Sequence, residues 1–104
     1  MHVERIKFER TGGFAGMRVA RDLKLEDMPE EQANTIMELL DDMHFGDLPE
    51  QILDESGPDQ FTYTITVKTK KWEHTVVTGE ASAPEKMQEL LQLLNRLART
   101  RKKQ

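Results

Sequence analysis

Apolar and polar residues alternate in "IKFER", which puts Ile6 and Phe8 on one face and Lys7 and Glu9 on the other. A period of two predicts a half-buried strand. "MRVARDLKL" alternates again, with Met17, Val19, Leu23 and Leu25 in one phase and Arg21 interrupting it. Two such runs joined by a glycine-rich connection predict a hairpin. "FTYTITVK" is the cleanest strand: Phe61, Tyr63, Ile65 and Val67 face one way, Thr62, Thr64 and Thr66 the other. "TKK" then turns the chain into "WEHTVVT", where Trp72, His74 and Val76 share a phase, and a second hairpin results.

Two other runs have helical spacing. Ala33, Ile36, Met37, Leu40 and Met43 recur at three and four residues, as do Met87, Leu90, Leu91, Leu94, Leu97 and Ala98. Pro29 and Pro84 suit first helical turns, where a missing N–H is no loss. Asp27 with Glu30, and Ser82 with Glu85, have capping-box spacing. "DLPEQIL" reads as a short helix or a turn, and "DESGPD" as a connection. The expected fold is α+β. A four-stranded antiparallel sheet, built from two hairpins, is packed on one face by two main helices plus a short helix. Ile6, Phe8, Val19, Ile36, Leu40, Tyr63, Ile65, Val76, Leu90 and Leu94 are the expected core. The two halves share a strand-strand-helix order, with no repeat at the level of residues.

At 104 residues the chain is read as a single domain, 1–104, with a frayed basic tail at 99–104. There are no cysteines, which removes disulfides and thiolate metal sites and suits the reducing cytoplasm. The N-terminus has no apolar run of signal-peptide length, and no segment approaches the ~20 apolar residues of a membrane span. The net charge of −4 disfavours non-specific association with nucleic acid or anionic membranes. That charge is uneven. Residues 22–59 hold thirteen acids against one base, and the rest holds six acids against fourteen bases. The acidic middle is either the solvated side of helices or a face for a basic partner.

Catalytic chemistry has little support. His2 is terminal, His44 ends the acidic helix, and His74 sits in a strand phase with Trp72 and Val76. None has zinc-site spacing to a second histidine, and Asp41 and Asp42 with His44 make only a weak metal-binding group. "TGGFAG" lacks the Lys-Ser/Thr of a phosphate-binding loop. Ser56 lies in a turn and Ser82 at a helix cap. No metal and no cofactor is expected. "VKTKKW" sets three lysines beside a tryptophan, a pairing that can stack a base. Lys70 and Lys71 are turn residues, however, and Trp72 is in phase with apolar neighbours. The methionines lie mostly on apolar stripes and read as core filler.

The remaining feature is "RTGGFAGMRV", where Gly12, Gly13 and Gly16 surround Phe14. An N-terminal strand, "GGFAG", and a second strand resemble the emfourin family. So do the proline-started acidic helix "MPEEQANTIMELLDDMHF", the strand "DQFTYTITV", and the final proline-started leucine helix. The resemblance spans roughly residues 5–98. Emfourins are small bacterial protein inhibitors of protealysin-like, thermolysin-type zinc metalloproteases. What the resemblance implies is a non-enzymatic inhibitor, monomeric, whose partner is such a protease. It points to Gly12, Gly13, Phe14, Ala15 and Gly16 as the contacting loop. Glycines let a tip lie close against another surface, and Phe14 can fill an apolar pocket beside the catalytic zinc. The same residues also suit a plain bend, with Phe14 folded onto the sheet. The alternative function is a protein-interaction or regulatory module that uses the acidic helical face.

Overall fold

The computed structural model describes residues 3–12, 18–52, 61–79 and 82–99. Strand β1 runs Val3–Gly12 and β2 runs Val19–Lys24. A 3-10 turn at Leu25–Asp27 leads to helix α1, Glu30–Asp42. A second 3-10 turn, Phe45–Asp47, precedes the two-residue strand β3, Gln51–Ile52. Strands β4, Phe61–Thr69, and β5, Glu73–Gly79, form the second hairpin, and helix α2 spans Glu85–Arg99. Residues 100–104, most of the expected frayed tail, lie outside the described residues.

The sheet has five strands in the order β2-β1-β4-β5-β3 and is mixed rather than wholly antiparallel. The α+β class and both hairpins agree with the expectation; the four-stranded antiparallel sheet does not. The two hairpins join through a long antiparallel pairing of β1 with β4, in which Ile6 opposes Val67 and Phe8 opposes Ile65. The additional strand is β3, which pairs parallel to β5. Two residues cannot display an alternation, so no periodicity announces this strand. Tertiary hydrogen bonds hold it instead: Val77 N donates to Glu50 O at 2.8 Å, and the Thr78 hydroxyl donates to Ile52 O at 2.9 Å. The expected short helix at "DLPEQIL" is therefore a 3-10 turn that starts earlier, at Phe45, followed by β3.

The helix starts differ from expectation by a residue. Pro29 and Pro84 each stand just before the helix and accept its first hydrogen bond, from Ala33 N at 3.0 Å and Gln88 N at 2.8 Å. No side chain caps α1, because Asp27 is committed to the preceding 3-10 turn. Ser82 is not a helix cap either. Its hydroxyl donates to Ile52 O at 2.9 Å and accepts from Gly79 N at 3.1 Å, tying the start of α2 to β3 and β5.

One side of the sheet carries the core. Ile6, Phe8, Tyr63, Ile65, Val67 and Val76 share that side and join Ile36, Leu40, Met87, Leu90 and Leu94 of the helices in a single buried cluster. Every expected core residue is buried except Val19, which is half-buried at the β2 edge. Val3, Leu25, Leu39 and Phe45 are further buried members. The opposite side is open and polar. Lys7, Glu9, Thr64 and Thr66 lie on it, and the Thr66 and Thr75 hydroxyls meet at 2.8 Å across β4 and β5. Among the described residues, no helix is long and apolar enough to cross a membrane.

Candidate functional site

The glycine-rich connection springs from one end of the sheet. Along β2 the pairing of β1 stops at Arg10 opposite Val19. Along β4 it continues, with Thr11 opposite Thr62 and Gly12 opposite Phe61. Strand β4 thus carries β1 two residues past the last β2 partner. Gly12 has φ 103°, a conformation in which a Cβ would be strained, so glycine is required where the chain leaves the sheet. Gly13, Phe14, Ala15 and Gly16 lie outside the described residues. On the return side Arg18 is exposed and pairs with Glu9 across the open face.

The base of this connection depends on two residues the sequence patterns did not single out, Arg10 and Asn95. Arg10 follows Ile6 and Phe8 in the core-facing phase of β1, where another apolar residue would be expected. Its guanidinium carbon lies 4.7 Å from the centroid of the Phe61 ring, within cation–π range. Its Nη1 donates to Asn95 Oδ1 at 2.8 Å. Asn95 Nδ2 in turn donates to the Tyr63 hydroxyl at 3.1 Å, and the Tyr63 ring stacks on Phe8 at 5.8 Å between centroids. These contacts connect β1, β4 and α2 at the end of the sheet where Gly12 meets Phe61. A cation interrupting an apolar phase was the signal available in the sequence.

The other candidates have structural employment. His74 Nε2 sits 2.7 Å from Leu48 O, and its ring stands edge-on to buried Phe45 at 5.7 Å. His44 takes a left-handed conformation, φ 52°, in the turn after α1. Trp72 lies against Gly46; a Cβ added there would come within 3.1 Å of the indole. Lys70 and Lys71 are exposed in a turn organised by the Thr69 hydroxyl, which accepts from Lys71 N and Trp72 N at 3.1 and 3.0 Å. The lysines and the tryptophan of "VKTKKW" are thereby separated: Lys68 lies exposed in β4, Lys70 and Lys71 in a tight turn, and Trp72 in a packing contact. A recess of about 550 Å³ opens at the opposite end of the sheet from Gly12, with Val3, Arg5, Lys24, Leu25, Met37 and Lys70 in its wall.

The acidic segment covers the solvent side of α1. Glu30, Glu31, Glu38, Asp41 and Asp42 are exposed, and Asp42 has Lys86 of α2 at 3.9 Å. Surface carboxylates of this kind contribute little to folding. Glu38→Gln and Asp41→Asn should each change stability by no more than about 0.5 kcal/mol in urea unfolding. A larger loss would show that these groups hold the helix in place rather than cover it.

The Emfourin family model matches residues 8–95, which takes in the second half of β1, β2, α1, the second hairpin and most of α2. The chain belongs to the emfourin family. Among solved structures, this emfourin is similar to the emfourin of Serratia proteamaculans, described as an M4 family peptidase inhibitor. The two share 22% identity over 83% of each chain, with a TM-score of 0.44. Comparison with curated proteins found no match. Emfourins are inhibitors and not enzymes, so the chain is a binding protein with no catalysis of its own.

Proposed function

We propose that this emfourin inhibits a thermolysin-type zinc metalloprotease by lodging the connection after β1 in the active-site cleft. The observation that carries the reading is the family match over residues 8–95, which includes all of "GGFAG". The M4 peptidase named for the Serratia emfourin belongs to the class of partner proposed. Gly12 supports the location: it turns the chain out of the sheet at a conformation suited to glycine, beside a strand that anchors it. A loop held at its base loses less conformational entropy on binding, so more of its contact energy appears as affinity. Phe14 supplies the apolar anchor for a pocket near the protease zinc, and loop backbone groups can pair with the cleft edge as an added strand. The zinc is the protease's own; the inhibitor needs no metal.

The test is residual peptidase activity of a panel of thermolysin-like enzymes titrated with the purified chain. A stoichiometric loss of activity in at least one of them is expected. Full activity throughout the panel at micromolar inhibitor would overturn the proposal.

A further inference from the structure

Arg10 is placed where stability alone would favour an apolar side chain. It continues the phase of Ile6 and Phe8, and its Cα partners on the two sides are Val19 and Tyr63. Its Nε is buried and finds no hydrogen-bond partner among the described residues. A donor desolvated without a partner counts against folding. The guanidinium is engaged elsewhere: its carbon stands over the Phe61 ring while Nη1 reaches Asn95. Only arginine can stack and donate in this way at once, because its donors lie in the plane that stacks.

We propose that Arg10 is a positioning residue. By clamping Phe61 of β4 and Asn95 of α2, it fixes the chain at Gly12 and Phe61. Those two residues face each other across the sheet end, and each borders a connection, 13–17 in one case and 53–60 in the other. The arrangement converts one side chain into a common anchor for both. Arg10 itself makes no contact with the protease in this account. The link to inhibition rests on the inhibitor reading given above; the ordering of Gly12 and Phe61 does not.

Amide hydrogen exchange on the full chain separates the two. In Arg10→Met, exchange at those of the Thr11, Gly12, Phe61 and Thr62 amides that bond across β1 and β4 should accelerate at least about tenfold, while amides in α1 and at the β4–β5 turn keep their rates. Arg10→Lys should behave like Arg10→Met, since an ammonium cannot stack on Phe61 and reach Asn95 together. Asn95→Leu should reproduce part of the effect, and the double variant should be no worse than Arg10→Met, because both changes break one chain of contacts. The melting temperature of Arg10→Met should stay within about 5 °C of the parent. Unchanged exchange at those amides, or an equal acceleration throughout the protein, would overturn the proposal. Should Arg10→Met not fold, Arg10→Lys and Asn95→Leu give the same readout. Against an inhibited protease, Arg10→Met should weaken inhibition although Phe14 is intact. A parent that inhibits nothing would count against the inhibitor reading alone, and the exchange data would still decide the role of Arg10.

Discussion

Leu90→Ala should destabilise the protein by about 2–5 kcal/mol. Leu90 is wholly buried on α2, and Ile65, equally buried on β4, belongs to the same cluster. Truncation removes the transfer energy of the lost atoms and leaves a cavity the packed sheet cannot fill. For a domain of this size the melting temperature should fall by about 8 °C or more, given that ~1 kcal/mol corresponds to ~4–8 °C. Total stability of small domains is only ~5–15 kcal/mol, so the variant should unfold at a much lower urea concentration. Leu93, on the same helix but half-buried, provides the control: Leu93→Ala should cost clearly less. Equal losses at the two positions would contradict the packing of α2 described here.

Phe14→Ala should weaken protease inhibition about 30-fold or more. Central aromatic anchors often contribute ~2 kcal/mol or more to an interface, and 1.4 kcal/mol is tenfold in affinity. Two measurements on the same variant are needed, because the sequence leaves Phe14 open to two readings. If Phe14 is an anchor that meets the protease, its removal lowers affinity and leaves melting nearly unchanged. If the ring is folded onto the sheet, its removal lowers melting. If Phe14→Ala melts far lower yet inhibits as well as the parent while folded, Phe14 is structural. Protease contact must then be sought elsewhere, for instance at 54–60, which lies outside the described residues, or at the 68–72 turn. Neutralising Glu38 and Asp41 discriminates the acidic-face alternative. A partner held there would associate more slowly, with a flatter dependence on salt. A cleft inhibitor acting through its loop should keep its association rate.

Elements with room to display a period were legible in the sequence. The run Phe61-Tyr63-Ile65-Val67 and the stripe Met87-Leu90-Leu91-Leu94 repeat often enough to fix both type and buried face. What was missed depends on contacts distant in sequence. Strand β3 is two residues long and exists through Val77, Thr78 and Ser82, which lie 26 or more positions away. Ser82 shows how a local spacing can be overridden: it has capping-box spacing with Glu85, but Ile52 O claims its hydroxyl. Leu39 is buried although the α1 stripe runs past it, because α1 is covered on a broader arc than its strongest repeat indicates, and Phe45 is buried from the 3-10 turn that follows the helix.

The candidate site was legible in part. Glycine density marked the connection, and Gly12 does take a conformation that calls for glycine. Its support was hidden. Arg10 breaks the apolar phase of Ile6 and Phe8, but only the pairing with Tyr63 and the reach of Asn95 from α2 give that break a role. A partner 85 residues away in the chain leaves no trace in a local pattern.

The proposed block of a thermolysin-type metalloprotease's cleft requires that substrate and inhibitor exclude each other. Its most direct test is the apparent inhibition constant measured at increasing concentrations of a peptide substrate. Competition is expected: the apparent constant should rise linearly with substrate concentration, with one inhibitor bound per protease at saturation. An inhibition constant that does not move with substrate, or a protease left fully active by the inhibitor, would contradict it.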